Sequence, residues 1–288
     1  MNKKYLIGAL AALVIAGCNS EEKVYIEGET VFCSGDNASD ILCVDKDKNP
    51  ITGIAKSTKE NKSVEMHLKD GKPNGIMKHF IDDKLVLEAD YKNGNEFSIK
   101  RFYPNGNIFI EETVKDGKRN GPFKTYNEDG VVKMEGNRKD DELDGVVKSY
   151  YKNGNIWKEE TFVNDKRNGV SKYYVEGNSG KLLEENTYVN DVLEGLSKSY
   201  TQDGGMVELN YKNGKPDGEY KSYDKEGKLL EERVYEDGVP KTFKGYTEGG
   251  LRVEGQYKDD KIDGVVKTYD KDGNVVKEEN WVNGGLVK

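Results

Sequence analysis

The sequence predicts an all-β fold: an elongated, twisted, largely single-layer antiparallel meander of tandem β-hairpin repeats, each about 23 residues long. Three observations support this prediction. A Lys-x-aromatic motif recurs at nearly constant spacing, and Asn-Gly or Asp-Gly turn signals separate its copies. Between the turns lie runs of about six to eight residues that mix Val, Ile, Tyr and Phe with Lys, Glu and Thr. No window after residue 17 shows sustained helical spacing.

The composition limits how such a chain folds. Of the 288 residues, 34% are apolar and 34% are charged, whereas globular chains carry only about a quarter charged residues. A thick core that is buried on both sides is therefore not expected. Low hydrophobicity with many charges also fits a disordered chain, but the 18 Tyr residues and the regular spacing favour a folded repeat.

The N-terminus has the pattern of an export signal. A basic start at residues 2–4 precedes an apolar run of 13 residues, 5–17, and this run is shorter than the roughly 20 residues that cross a bilayer as a helix. We therefore divide the chain into a signal peptide at 1–17, a tether leading into the repeats at 18–40, and a repeat array at 41–288.

The end of the signal, Ile15-Ala16-Gly17-Cys18, resembles the lipobox of bacterial lipoproteins, in which the Cys becomes the acylated first residue. The resemblance implies that Cys18 carries palmitate-type acyl chains, which hold a protein on a membrane. Asn19 resembles the sorting pattern for the outer membrane of bacteria with two membranes. We expect an exported protein anchored to the cell envelope, in the outer membrane. A plain Cys that ends an ordinary signal is the alternative.

Two further cysteines, Cys33 and Cys43, follow the predicted signal. Export places them in an oxidising compartment, where a disulfide is permitted. A bridge would close a short loop and stabilise the fold by ~2–3 kcal/mol, and a pair of free thiols is the alternative. A zinc site is not expected, because the sequence has no CxxC pair and only two His residues, His67 and His79.

The charge balance argues against nucleic acid as a partner. Removal of the signal leaves 43 basic and 53 acidic residues, a net charge of −10. Phosphate backbones and anionic headgroups repel such a surface. Attachment to a membrane would therefore depend on the lipid at Cys18.

The repeat is defined by its Lys-x-aromatic motif. The Lys residues are Lys78, Lys100, Lys124, Lys148, Lys172, Lys198, Lys221, Lys244 and Lys267, at intervals of 22 to 26 residues. Because residues i and i+2 of a strand lie on one face, the aromatic residues should form a row on the same face as the Lys residues. We predict this row as the protein-binding surface: Phe102, Tyr126, Tyr150, Tyr174, Tyr200, Tyr223, Tyr246 and Tyr269.

The turns predict a register. If Asn153-Gly154 is the two-residue loop of a type I′ turn, Lys148 lies opposite Glu159 and Tyr150 lies opposite Trp157. The same arithmetic pairs Lys100 with Glu111, Lys124 with Glu135, Lys221 with Glu232, Lys267 with Glu278, Phe102 with Phe109, Tyr223 with Leu230, and Tyr269 with Val276. The units at Lys78, Lys198 and Lys244 miss this register by one residue, and the unit at Lys172 has an insertion at 175–181. We expect bulges or other turns there.

The unit G-x-x-K-x-Y-x-x-N-G, followed by an apolar residue, two variable residues and Glu and then by a second K-x-N-G turn, resembles the variant form of the MORN repeat. The chain is similar to YwqK-type antitoxin-like repeat proteins from about Asn49 to Lys288. The resemblance implies extended sheets of β-hairpins. By name the family is linked to toxin neutralisation and, in eukaryotes, to scaffolding at membranes, whereas an export signal is a departure from a cytoplasmic antitoxin.

The sequence has no pattern that predicts catalysis. It lacks a serine nucleophile elbow, an HExxH motif and a phosphate-binding glycine loop. The runs at Asp45–Asn49 and Asp270–Asn274 do not match a calcium-binding loop, which needs Gly at position six and Glu at position twelve. We expect no enzyme, no catalytic residues, no metal and no cofactor. The expected function is a lipid-anchored binding or scaffold protein with an unidentified protein partner and an unassigned oligomeric state, and a toxin-binding, immunity-type inhibitor is the alternative.

Overall fold

Within the residues that the computed structural model describes, all regular secondary structure is β-strand, with no helix. The residues described are 23–28, 30–35, 41–177 and 180–287. The predicted signal peptide, Cys18 and two residues of the insertion lie outside them. The chain divides into two units, Met1–Asp144 and Gly145–Lys288.

The first unit begins with three short strands and continues as a meander. Its strands are β1 (Val24–Ile26), β2 (Phe32–Ser34), β3 (Leu42–Val44), β4 (Gly53–Lys59), β5 (Lys62–Lys69), β6 (Lys72–Ile81), β7 (Lys84–Lys92), β8 (Asn95–Phe102), β9 (Ile108–Lys115), β10 (Lys118–Tyr126), β11 (Val132–Lys139) and β12 (Glu142–Leu143). From β4 to β12 each strand pairs antiparallel with the next one in the chain. Strand β1 runs parallel to β4.

The start of the first unit holds a small hydrophobic core. Strands β2 and β3 form a separate hairpin that the disulfide Cys33–Cys43 joins. Its backbone is tied to the turn after β5 by a hydrogen bond of 2.8 Å from the Cys43 N–H to the Gly71 carbonyl. A buried cluster forms where the hairpin packs on the meander: Val31, Cys43, Ile51, Ala55 and Leu68. Strands β2 and β3 thus form a packed, disulfide-linked cap on the first strands of the meander.

The second unit is a meander throughout. Its strands are β13 (Gly145–Tyr150), β14 (Ile156–Val163), β15 (Lys166–Tyr174), β16 (Leu182–Val189), β17 (Val192–Leu193), β18 (Gly195–Tyr200), β19 (Met206–Lys212), β20 (Lys215–Tyr223), β21 (Leu229–Glu236), β22 (Val239–Thr247), β23 (Gly250–Lys258), β24 (Lys261–Ile262), β25 (Gly264–Tyr269), β26 (Val275–Val282) and β27 (Gly285–Leu286). All of its recorded pairings are antiparallel. The predicted all-β meander of tandem hairpins is therefore confirmed in each unit.

Type I′ turns join one hairpin to the next. Asp116 (φ 53°) and Gly117 (φ 76°) both have positive φ, between the paired residues Lys115 and Lys118. A type I′ turn requires such values at both central residues. Pairs of the same kind are Asp70-Gly71, Asn93-Gly94, Asp140-Asp141, Asn164-Asp165, Asn190-Asp191, Asn213-Gly214, Asp237-Gly238, Asp259-Asp260 and Asn283-Gly284.

The Asn-Gly and Asp-Gly turns inside the hairpins differ from the prediction. At Asn153-Gly154 only Gly154 has positive φ, 85°. The Gly154 N–H donates to the Tyr151 carbonyl (2.9 Å), and the Tyr151 N–H donates to the Asn155 carbonyl (2.8 Å). The Asn153 side chain accepts the Asn155 N–H at 3.0 Å. The loop therefore has three residues, with Gly in the left-handed position and an adjoining bulge.

Because of the bulge, one part of the predicted register is confirmed and the other part is wrong. All five predicted Lys–Glu pairs are confirmed, including Lys148 opposite Glu159. The aromatic–apolar pairs are wrong by one residue, because the longer loop shifts the partner of the aromatic residue. The observed pairs are Tyr150 with Ile156, Phe102 with Ile108, Tyr223 with Leu229, and Tyr269 with Val275.

The hairpins that were expected to deviate also keep their Lys–Glu pair. That of Lys198 has the same three-residue loop and lacks the bulge, and the others have loops of other lengths. The hairpin of Lys78 closes on Asp82-Asp83, which both have positive φ and form a type I′ turn. The corresponding pairs are Lys78–Glu88, Lys172–Glu185, Lys198–Glu208 and Lys244–Glu254. The loop length changes between units, and the pairing of Lys with Glu does not.

Candidate interaction surface

One face of each unit carries a continuous row of alternating Lys and Glu, one residue per long strand. In the first unit the row is Lys56, Glu65, Lys78, Glu88, Lys100, Glu111, Lys124 and Glu135. In the second unit it is Lys148, Glu159, Lys172, Glu185, Lys198, Glu208, Lys221, Glu232, Lys244, Glu254, Lys267 and Glu278. We call the face that carries this row the ladder face. Each Glu thus lies between two Lys residues wherever the sheet continues on both sides.

The aromatic residue two positions after each Lys completes a three-strand contact. Glu159 on β14 shows it best, because its two carboxylate oxygens have different partners. Lys148 Nζ lies 3.2 Å from Oε1, and the Tyr174 hydroxyl donates to Oε2 at 2.9 Å. Tyr223 donates in the same way to Glu208 at 3.3 Å. The pairs Tyr126–Glu111, Tyr246–Glu232 and Tyr269–Glu254 repeat this hydrogen bond. Each Glu of these pairs links its own hairpin to the next one.

These contacts change the acidity of the tyrosines. Burial, together with the hydrogen bond to Glu159, raises the pKa of Tyr174 to about 12. The pKa values of Tyr126 and Tyr246 are raised to about 12 for the same two reasons. A carboxylate acceptor favours the protonated phenol, which donates the hydrogen bond. The phenol groups therefore act as donors within the sheet at all physiological pH values.

The predicted binding row lies on the ladder face. Its eight members are all half-buried, and Phe102 and Tyr126 belong to the first unit while the others belong to the second. Five of their hydroxyls are bound to Glu residues of the preceding hairpin. The row therefore offers ring edges to a partner, whereas most of its hydroxyl groups serve the sheet.

The sequence reasoning missed a set of exposed aliphatic residues on the ladder face of the second unit. The position two residues before Lys is occupied by Val146, Val170 and Leu196, whose exposed fractions are 49%, 43% and 38%. Two residues of equal exposure, Val189 and Val192, pair across β16 and β17. The signal was present in the alignment of repeats, because Lys and these residues differ by two positions and must share a face.

The opposite face carries an aromatic column that was also missed. Its members in the second unit are Phe162, Tyr188, Tyr211, Tyr235, Tyr257 and Trp281. Most of them lie opposite a glycine, as Tyr188 does with Gly169 and Phe162 with Gly145, which leaves room for the ring over the neighbouring strand. The Arg167 guanidinium lies 4.0 Å from the centre of the Tyr188 ring. The rings of this column pack against neighbouring strands of the same sheet.

Polar groups of the opposite face are more deeply buried than those of the ladder face. Glu160 is 6% exposed and lies between Lys158 (2.5 Å) and the Tyr173 hydroxyl (3.3 Å). Ser171 is fully buried next to it. Removal of one partner of a buried ion pair strongly destabilises a protein, because the other charge is left buried and unpaired. This face is therefore better suited to stability than to recognition.

Neither face brings together groups for chemistry within the described ranges. No cluster of three His, Cys, Asp or Glu residues in them is placed to hold a metal ion. His67 packs against Gly75, where an added Cβ would lie 3.1 Å from the His67 Cβ. None of the described residues forms a helix long and apolar enough to cross a bilayer.

The comparison with protein families agrees with the repeat seen in the structure. A family model described as the MORN repeat variant matches residues 99–116, 119–140, 143–164, 216–237 and 262–283. The matches cover less than half of the chain. Each ends at a type I′ turn and contains one Lys–Glu hairpin, and these five hairpins are the ones whose register the sequence predicts. No curated protein matches the chain.

Proposed function

We propose that the protein is a lipid-anchored repeat protein of the bacterial cell envelope that acts as a protein-binding or scaffold module. The match to the MORN repeat variant supports a repeat scaffold or binding module. The observation that carries the proposal is the ladder face, on which a regular row of charges, tyrosine rings and exposed aliphatic side chains share one side of the sheet. Surfaces that combine rings with rim charges suit protein recognition.

The anchor is the part of the proposal that comes from the sequence alone. Cys18 follows the apolar run directly and would receive the acyl chains, and residues 19–22 would then lead to strand β1. A chain with net charge −10 after processing has no electrostatic route to anionic headgroups. The lipid at Cys18 is therefore the means by which the repeats would be held at the membrane, in the outer membrane if Asn19 acts as a sorting signal.

The anchor is tested by fractionation. In cells of its own host, the wild-type chain should appear in the membrane fraction and incorporate labelled palmitate. The Cys18→Ser chain should incorporate none and lose its detergent-phase partitioning, and Cys33→Ser with Cys43→Ser serves as the control in which Cys18 is intact. Labelling that persists in Cys18→Ser would exclude Cys18 as the lipid attachment site.

The binding function is tested by crosslinking in intact cells followed by mass spectrometry. We expect crosslinks between ladder-face lysines and one or a few envelope proteins. Replacement of Tyr200 and Tyr223 by Ala should remove them, whereas Tyr257→Ala, on the opposite face, should not. Crosslinks that survive the ladder-face changes would contradict the proposal. If the recovered partner is a toxin whose activity the purified chain abolishes, the immunity-type inhibitor replaces the scaffold.

A further inference from the structure

The exposed apolar residues of the second unit are concentrated on one face. By their spacing from the Lys and Glu residues of the row, most of its exposed large hydrophobic residues outside the β-bulges lie on the ladder face. They are densest between β13 and β18, where six residues form what we call the aliphatic patch: Val146, Val163, Val170, Val189, Val192 and Leu196. Contiguous exposed patches of this kind on soluble proteins usually mark contact sites.

The repeat itself does not require the aliphatic patch. The position two residues before Lys, which holds Val146, Val170 and Leu196, is occupied by Ser98, Glu219 and Thr242 in other hairpins. Those hairpins keep the same Lys–Glu register. Stability of the hairpin therefore does not explain why three consecutive hairpins carry aliphatic side chains in this position.

We propose that the aliphatic patch and the adjoining part of the Lys–Glu row form a docking surface for a second copy of this chain, ladder face against ladder face. The charge pattern is self-complementary. A two-fold axis that runs along the strands between β15 and β16 places Lys172 over Glu185 of the second copy and Glu159 over Lys198 of the second copy. Strict alternation continues this match of opposite charges on both sides of the axis.

The available area suffices for such a dimer. The two-fold axis between β15 and β16 brings six long strands of each second unit face to face, from β13 to β19, which lie about 4.8 Å apart and present about six residues each, at about 3.3 Å per residue. These dimensions give roughly 570 Å² on each copy, or about 1,140 Å² in total, which exceeds the ~1,000 Å² expected of a specific interface and lies in the range of weak dimers. The aliphatic patch lies within this area, and the Lys–Glu row beside it would stay hydrated at the rim.

A bilayer is a poorer occupant of the same surface. The Lys–Glu row lies two residues from Val146, Val170 and Leu196 on the same strands, so insertion of these short side chains would bring charges into hydrocarbon. That transfer costs several kcal/mol per charge. A second copy instead offers each charge an opposite charge. The self-association is independent of the lipid anchor and can hold or fail without it.

The test is sedimentation of the full chain carrying Cys18→Ser, at concentrations up to about 100 μM, where dimers with Kd in the micromolar range are populated. We expect a monomer–dimer equilibrium, and Val170→Lys should weaken it at least tenfold. Val265→Lys is the matched control. Val265 occupies the same repeat position, follows a glycine likewise and is 44% exposed against 43% for Val170, but it lies outside the aliphatic patch.

Three results would overturn the proposal: a wild-type chain that remains monomeric throughout, equal effects of Val170→Lys and Val265→Lys, or a monomer that floats with neutral phosphatidylcholine vesicles. The charge match gives a second readout. Lys172→Glu should weaken the dimer, and the addition of Glu185→Lys should restore it. Circular dichroism of every variant separates loss of association from loss of fold, because the β spectrum must persist in a variant that only fails to dimerise.

Discussion

Removal of one hydroxyl tests whether the Tyr–Glu contact joins neighbouring hairpins. Tyr174→Phe deletes the hydrogen bond of 2.9 Å to Glu159 Oε2 and leaves the ring in place. Hydrogen bonds to charged groups contribute about 1.5–3 kcal/mol. The Glu159 side chain is 26% exposed and keeps Lys148 at 3.2 Å, so water and the ammonium compensate for part of the loss. We expect the free energy of unfolding of the second unit to fall by about 1 kcal/mol.

The assay is guanidinium unfolding followed by tryptophan fluorescence. Both Trp residues, Trp157 and Trp281, lie in the second unit, so the signal reports on that unit. The midpoint should fall at unchanged slope, with a decrease in Tm of ~2–4 °C. A double-mutant cycle of Tyr174→Phe with Glu159→Ala should give a coupling energy of about 1 kcal/mol, because each change removes one partner of the hydrogen bond.

Tyr257→Phe is the matched control for this prediction. Tyr257 is half-buried in the same unit, and its hydroxyl makes no hydrogen bond to any residue that the structure describes. Its removal should change the midpoint by less than ~0.5 kcal/mol, as is usual for substitutions that lose no specific contact. A coupling energy below ~0.3 kcal/mol, or an equal cost for Tyr257→Phe, would refute the role of the Tyr–Glu contact.

Three more predictions follow from the turns and the cap. Gly169→Ala should lower the free energy of unfolding by ~2–3 kcal/mol, because φ is 124° and the new Cβ would lie 3.2 Å from the Thr161 Cβ. Gly154→Ala, whose new Cβ would have no atom within 4 Å, should lower it by ~1 kcal/mol. Equal unfolding midpoints of the two variants in denaturant would contradict the steric argument. Burial raises the pKa of Glu27 to about 7, against the effect of its hydrogen bond with Ser57. The unfolded chain therefore loses this proton at lower pH than the folded chain, and ionisation of Glu27 should lower the free energy of unfolding as pH rises from about 4.5 to 7. After discounting for solvent exposure, Glu27→Gln should be more stable than wild type by roughly 1 kcal/mol at pH 8 and equally stable at pH 4, as measured by thermal unfolding. Cys33→Ser with Cys43→Ser should destabilise the cap by ~2–3 kcal/mol, seen as cleavage of the first unit by trypsin at lower temperature, and unchanged resistance would show that the core cluster holds the cap alone.

The sequence was sufficient to predict the Lys–Glu register, for a physical reason. A charge pair and a turn signal occur at a fixed separation in five hairpins, and a slip by one residue would turn every side chain to the other face. The sequence alone therefore predicts that Lys148 pairs with Glu159. The same arithmetic failed for Tyr150 and Trp157, because it assumed a two-residue loop and the bulge lies between these residues and the Lys–Glu pair.

The turn type was assigned to the wrong turn because Asn-Gly and Asp-Gly serve both kinds. Asn153-Gly154 and Asn213-Gly214 are the same dipeptide, yet the first adds a bulge and the second forms a type I′ turn. The contacts of the two turns differ: the Asn153 side chain accepts the N–H two residues later, whereas the Asn213 N–H donates at 2.7 Å to the side chain of Glu194, which lies between β17 and β18. The dipeptide alone does not contain that information.

The aliphatic patch was missed for a different reason: its residues occupy ordinary repeat positions, and only the type of residue at these positions differs between units. Comparing units for their shared residues draws attention to Lys, Glu and Tyr, and these are the groups that hold neighbouring hairpins together. Because every unit requires them, these residues supply a contact surface that the units share, and the differences between units lie at other positions.

The position two residues before Lys has the opposite properties. It lies on the ladder face, it is exposed at Val146, and it ranges from Val146 to Glu219 without a change in pairing. A repeat protein gains a specific surface by varying such positions while its inter-repeat contacts stay constant. Exchange of Val146, Val170 and Leu196 for the Ser, Glu and Thr of other hairpins should therefore change what the second unit binds and leave its fold intact.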